Sequence, residues 1–300
     1  MSGGLLVVGD VVTDVVVRHG TVPVHGTDTA AVIRTRAGGA GANVACWAVH
    51  AGCPDVRLLA RVGADSADWH RNLLRRAGVR GLLAVDEEEP TATVVALVDA
   101  AAERTFLTDS GAVLRLSPDD WSPALLDGVA HLHLSGYLLF ADTSRETALL
   151  ALREAVRRNV PVSVDPASAG FLAGLGVDRF LALTERADLL LPNADEASLL
   201  TGLPEPADAA AKLSMPARQV VVTLGEGGAL LASGGAVTGR VPAEAARRAV
   251  DSTGAGDAFT GGFLAARLAG ADETAAAAAG CRAGAQAVGT VGGRPPLPGE

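Results

Sequence analysis

The chain has 300 residues, of which 49% are hydrophobic and 20% charged, a balance that excludes an intrinsically disordered chain and fits a globular protein with a sizeable core. Its formal net charge of −9 argues against nucleic acid as a partner, because phosphate backbones demand clustered Lys and Arg. Lys212 is the only lysine, so a P-loop lysine has no candidate, and any phosphate must be held by arginine, backbone amides or a metal ion.

Met1-Ser-Gly-Gly leads straight into the strand-like run Leu5–Val8, with no basic or long apolar segment, so neither a signal peptide nor a membrane span is expected. Strand-like runs recur at Val56–Ala60, Val129–Leu134, Val160–Val164, Ala187–Leu191 and Gln219–Thr223. Helical stretches separate them at Ala42–Ala51, Asp68–Ala77, Arg145–Arg158, Val177–Thr184 and Ala207–Leu213, and two more follow at Ala258–Ala269 and Glu273–Val288. The alternation predicts an α/β fold, doubly wound, with a mostly parallel central sheet flanked by helices. Two excursions, Val12–Arg36 and Thr91–Thr108, instead alternate apolar and polar residues without a helix between. They read as antiparallel strands wet on one face, either a small sheet lying over the ligand crevice as a lid or a pair of hairpins with no such role. Cys46, Cys53 and Cys281 lack CxxC spacing, so no disulfide framework or zinc site is expected and a reducing cytoplasm fits best.

The strongest local pattern is Asp251-Ser-Thr-Gly-Ala-Gly-Asp257, a glycine loop opening the amphipathic stretch from Ala258. Unpaired N–H groups at a helix start sit at the positive end of the dipole, and glycine lets a phosphate approach them. Gly254, Ala255 and Gly256 are therefore the expected anion hole, with Asp257 in the first turn, where the dipole should keep its carboxylate ionised and weakly basic. Such an aspartate suffices to orient a hydroxyl and accept its proton late in a loose phosphoryl transfer. On these seven residues alone, a helix cap behind a tight turn accounts for Asp257 equally well.

Three further segments accompany it. Gly38-Gly-Ala-Gly-Ala-Asn43 and Asp14 offer backbone approach and polar groups to a polyol. Leu191-Pro-Asn-Ala-Asp-Glu196 follows a predicted strand, and Asn193 with Glu196 alone would read as a helix cap and its capping-box partner. Thr223-Leu-Gly-Glu-Gly-Gly228 is by itself a glycine turn. Together, in this order, these motifs resemble the ribokinase-like family of sugar kinases, also called the phosphofructokinase-B family, over nearly the whole chain.

The resemblance implies a single ribokinase-like kinase domain over residues 1–300 whose small β-sheet lid is formed by about residues 12–36 and 91–108. It implies ATP- and Mg²⁺-dependent transfer of a phosphoryl group to a sugar or sugar-like small molecule. Asp257 would be the base and Gly254, Ala255 and Gly256 the anion hole, while Asp14, Gly38, Gly39 and Asn43 would bind the substrate. The nucleotide would meet Asn193, Glu196, Thr223, Gly225, Gly227 and Gly228, with Glu196 holding magnesium through water. In relatives that bind a monovalent cation such as K⁺, the residues matching Asp251 and Thr253 help form its site. Val98–Thr108 resembles the hairpin that many members close over the sugar; Arg104 within it reads as a solvated charge or as a reach toward an anionic substrate.

Two departures put ribose in doubt as the acceptor: Ala40 stands where the ribokinase pattern has lysine after the glycine pair, and Val12 where it has asparagine. The rival readings are a nucleoside kinase of the same fold, which the 3% aromatic content weakly disfavours, a non-catalytic sugar or nucleotide sensor, and a dinucleotide-dependent oxidoreductase, which lacks its glycine fingerprint after the first strand. No membrane partner is expected, and an exposed lid edge offers a route to a homodimer. His131 and His133 alternate within a predicted strand and read as structural.

Overall fold

The computed structural model describes residues 3–99, 104–215, 219–246 and 249–297. In chain order its first elements are β1 (Gly4–Val8), β2 (Val12–His19), β3 (Ala31–Gly38), α1 (Ala40–His50), β4 (Val56–Gly63), α2 (Ala67–Arg76), β5 (Arg80–Asp86), β6 (Thr93–Val98) and β7 (Arg104–Asp109). After several short 3-10 turns come β8 (Val129–Ser135), α3 (Asp142–Arg157), β9 (Val162–Asp165), α4 (Ala169–Leu175), α5 (Val177–Thr184), β10 (Leu189–Leu190) and α6 (Ala194–Thr201). The rest comprises α7 (Pro206–Leu213), β11 (Gln219–Thr223), β12 (Ala229–Ser233), β13 (Ala236–Val241), α8 (Ala255–Leu268) and α9 (Glu273–Ala287).

Nine strands form the main sheet in the order β13-β12-β11-β10-β9-β8-β1-β4-β5. From β11 to β5 every pairing is parallel, and the β12–β13 hairpin adds two antiparallel strands at one edge. The strand period of two divides the core. Leu6, Val8, Leu132 and Val164 face a layer built on α3, α5, α6 and α7, through residues such as Ala151, Phe180, Leu200 and Leu213. Leu5, Val7, Leu58 and Val221 face α1, α2, α8 and α9, through Val44, Leu74, Phe263 and Ala276. Covering on both faces explains why these strands read as continuous apolar runs.

The second sheet has the order β3-β2-β6-β7 and joins the two excursions. Its strands are not all antiparallel, as the alternation predicts: β2 and β6 run parallel, with Thr13 opposite Thr93 and Val17 opposite Leu97. Alternation reports which face of a strand is wet and carries no information on direction. Similarly, β10 is two residues long where five are expected, although the backbones of Asp188 and Leu191 on either side of it still bond to Val162, Val164 and Gln219; Pro192 beyond offers no donor. No helix of the described residues is long and apolar enough to cross a membrane.

Candidate active site

Chain order reverses between β1 and β8: from β1 the sheet grows toward β4 and β5, and from β8 toward β9 and β10. In open α/β sheets a ligand crevice lies beyond the carboxyl ends of the strands at such a point. Here Asp10, just past β1, bridges it. Its buried carboxylate accepts from Ser135 Oγ at the end of β8 (2.7 Å) and from the N–H groups of Ala40 (2.7 Å) and Gly41 (3.1 Å) at the start of α1. A cavity of about 840 Å³ opens above this junction, lined on the main-sheet side by Asp10, Asn43 and Asp257 and on the small-sheet side by Asp14, Val16, Val94 and Phe106.

Asp257 stands in the first turn of α8, facing that cavity. Gly254 precedes the helix at φ 74°, and a Cβ there would lie 2.5 Å from the Gly293 Cα, so this position requires glycine on both counts. The helical ladder begins with Ala258 N–H to Gly254 O (2.8 Å), which leaves the N–H groups of the first turn outside it. Ala255 N–H bonds weakly to Ser252 O (3.3 Å); beside Gly256, where a side chain would begin, there is open space. Asn43 Nδ2 donates to Asp257 Oδ2 at 2.7 Å. Burial pushes the Asp257 carboxyl up to about 7, the Asn43 bond opposes the rise, and Asp10, Asp14 and Glu196 add to it. The sequence expectation of a dipole-stabilised, weakly basic Asp257 is thereby corrected: desolvation and three neighbouring carboxylates outweigh the helix dipole.

Asp14 projects from β2 into the same cavity, and a Cβ at Gly38 would lie 2.1 Å from its Oδ2, so the close approach of that carboxylate accounts for the glycine. Burial raises Asp14 to about 6 against the attraction of Arg294, with Asp10 and Asp251 adding to the rise. Gly39 and Thr253 line the cavity with Asp14, Asn43, Asp251, Gly254 and Asp257. Asp251 Oδ1 accepts from Thr253 N–H (2.9 Å) and Oδ2 from Gly292 N–H (3.0 Å).

Asn193 and Glu196 form a reciprocal capping box at the start of α6, with Asn193 N–H to Glu196 Oε2 and Glu196 N–H to Asn193 Oδ1 both at 2.9 Å. Thr223 pairs with Asn193 as an isolated bridge, so the glycine turn of Gly225, Gly227 and Gly228 starts beside the cap but outside the cavity. Burial, with the charges of Glu196 and Asp257, raises the Asp165 carboxyl well above the usual carboxylate range; burial also raises Glu196 against its bonds with Asn193, and Asp195 adds to the rise. Asp165 Oδ1 accepts from the N–H of Ala167, held at φ 78°, a conformation L-residues rarely adopt outside functional turns. Among the described residues no group of three or more His, Cys, Asp or Glu side chains that could hold a metal ion occurs.

Sequence reasoning missed Asp10, Asp165 and an aromatic wall. Tyr137, Phe140 and Phe171 pack edge to face or stacked with ring centroids 5.1–6.2 Å apart and line the cavity, as does Phe106. Burial, with nearby carboxylates, pushes the Tyr137 phenol above its ordinary range. An overall aromatic content of 3% conceals this concentration. Residues 100–103 of the expected lid hairpin and the Arg104 side chain lie outside the described residues.

The profile of the pfkB family of carbohydrate kinases matches residues 3–299. A fructokinase of Klebsiella pneumoniae is 32% identical over 277 residues, covering 88% of this chain and 84% of that protein. A ribokinase of Arabidopsis thaliana is 29% identical over 281 residues, covering 89% and 71%. Among solved structures, a ribokinase of Thermotoga maritima superposes with a TM-score of 0.82 at 26% identity, covering 97% and 94% of the two chains. An adenosine kinase of Sinorhizobium meliloti shares the fold, with a TM-score of 0.89 at 22% identity and coverage of 99% and 97%. With its motifs, fold and matched length in agreement, the chain belongs to the pfkB family of carbohydrate kinases.

Proposed function

We propose that the chain is an ATP-dependent kinase that transfers the γ-phosphoryl group to a hydroxyl of a sugar or sugar-like molecule. The observation that carries this reading is Asp257: a carboxylate raised to about 7, held by Asn43 at the start of α8 beside an open glycine, across the cavity from Asp14. Asp14 and Asn43, with the Gly38–Gly39 backbone, hold the acceptor. As the acceptor oxygen bonds to phosphorus and the bond to the ADP oxygen breaks, Asp257 takes the hydroxyl proton, and a pKa near 7 suits that transfer. The N–H groups of Gly254, Ala255 and Gly256 face the charge that develops on the phosphoryl oxygens. Mg²⁺, when bound, would offset phosphate charge, and Glu196, with Asp165 beside it, is the carboxylate suited to hold it through water. Asn193 and the turn of Thr223, Gly225, Gly227 and Gly228 would hold the nucleotide. A monovalent cation such as K⁺ would bind at Asp251 and Thr253 alongside their backbone bonds.

The chain acts as one kinase domain whose small sheet is a lid, in a reducing compartment such as the cytoplasm, with no nucleic acid or membrane partner. The unpaired edges of β3 and β7 offer a homodimer contact, which sedimentation would reveal. ADP release from a panel of D-fructose, D-ribose, 2-dehydro-3-deoxygluconate, adenosine and inosine tests the activity. Turnover of none above basal ATP hydrolysis would defeat the reading.

The wall of Tyr137, Phe140 and Phe171 favours a second reading, in which the acceptor is a nucleoside whose base stacks on those rings. Adenosine or inosine would then outperform the sugars, and Phe171→Ala would abolish that preference.

A further inference from the structure

Arg294 lies in the segment after α9, two residues beyond Gly292, which lines the cavity. Trp47 Nε1 donates to Gly293 O (2.9 Å) and Gly292 N–H to Asp251 Oδ2 (3.0 Å), so the segment is tied to α1 on one side and to the loop before α8 on the other. From there Arg294 Nη2 donates to the carbonyl of Gly38, the last residue of β3, at 2.8 Å. Gly38 is in turn packed on the Asp14 carboxylate.

The other two guanidinium nitrogens, Nε and Nη1, are buried and make no hydrogen bond among the described residues. Burying N–H groups in this state costs stability, and an apolar side chain would serve the fold better. The charge is accounted for by what surrounds it. Asp14 from β2, Asp10 from the end of β1, Cys46 from α1 and His70 from α2 all feel it. Around Asp14 itself, Asp10 and Asp251 repel and Arg36 is its cross-strand partner on β3; the Arg294 attraction is the one influence opposing burial and these repulsions in its titration.

We propose that Arg294 is a positioning residue of the acceptor site, holding Gly38 and the Asp14 carboxylate in the geometry and charge that receive a hydroxyl-bearing acceptor. The inference rests on the reading of Asp14 as the acceptor ligand. An ionised Asp14 accepts from two hydroxyls at once, whereas a protonated one gives up part of that capacity.

Arg294→Met and Arg294→Lys test it in two arms. The first needs no acceptor: carbon NMR of the labelled Asp14 carboxyl, assigned with Asp14→Asn, follows its titration. Arg294→Met should raise the Asp14 pKa by about one unit or more, with Arg294→Lys restoring most of the shift and Arg294→Met melting at or above the wild-type temperature. The second arm uses whichever of D-fructose, D-ribose and adenosine the wild type turns over. Assayed near pH 5, below the Asp14 pKa of about 6, Arg294→Met should raise the KM of that acceptor about tenfold, the equivalent of one pKa unit, and much less at neutral pH, while kcat and the KM for ATP stay near wild type. An unmoved Asp14 titration overturns the proposal, as does an equal rise in both KM values with a lower melting temperature, which marks a structural role. If none of the three acceptors is turned over, the kinase reading fails for them and the NMR arm still decides the role of Arg294.

Discussion

Asn43 and Asp257, 214 residues apart in sequence, meet at 2.7 Å where α1 and α8 begin. The bond is the influence that holds the Asp257 pKa down against burial and its acidic neighbours. Asn43→Leu should therefore shift the acidic limb of the kcat/KM profile above about 7 and lower kcat roughly 10²-fold at neutral pH. Part of the activity should return under alkaline conditions, when Asp257 ionises without its partner. A limb that stays in place would separate Asp257 from the profile.

Asp257→Asn should lower kcat by roughly 10²–10⁴-fold at every pH, since the amide takes up no proton. Its effect on stability has the opposite sign. The folded carboxyl titrates near 7 and the unfolded one near 3.8, so the native state binds more protons between those values and loses stability as pH rises through that window. The variant should thus melt a few degrees higher than wild type in mildly alkaline buffer and no higher in acid. Thermal melts across pH check both arms.

Gly254 and Gly256 should respond to alanine in contrasting ways. At Gly254 the positive φ and the Gly293 backbone make a Cβ strained, at a cost of about 1–3 kcal/mol. At Gly256 nothing lies within 4 Å, so Gly256→Ala should fold at least as well as wild type. Yet on the proposed reading the added methyl stands where a phosphate would approach, and kcat/KM for ATP should fall. A fully active Gly256→Ala enzyme would remove that residue from the anion hole.

His131 Nε2 and His133 Nδ1 both meet the Ser163 hydroxyl at 2.9 Å inside the sheet, and burial lowers both imidazoles to about 3. The unfolded chain takes up these protons near 6.5, so their contribution is fully present above that pH and is lost as pH falls toward 3. Chemical denaturation along this range should show the decline. Ser163→Ala, which strips both rings of their partner, should cost about 1–3 kcal/mol at neutral pH.

Much of this was legible in the sequence because it resides in local patterns. The apolar runs of β1, β4, β8 and β11 announce strands buried on both faces, and Gly254–Asp257 announces a helix start, which the structure places at the cavity. What escaped depends on distance. Asp10 gains its place from Ser135 and the start of α1, which no local pattern connects to it. Burial, unreadable from seven residues, reverses the expected basicity of Asp257. The strand β5, half-buried through most of its length, blurs into the helix before it, and Tyr137, Phe140 and Phe171 become a wall only once β8 and α4 are brought together.

The parallel ladder between β2 and β6 governs the order of assembly. Hairpins zip from their own turns, but Thr13 finds Thr93 only after β1, β4 and β5 have aligned and delivered both strands to the same edge. The small sheet is then a late arrival in folding and an early departure in partial unfolding. Its amides should exchange with solvent ahead of those in β1 and β8, and because Asp14, Val16, Val94 and Phe106 line the cavity, such opening would uncover that side of it while the main sheet stays intact.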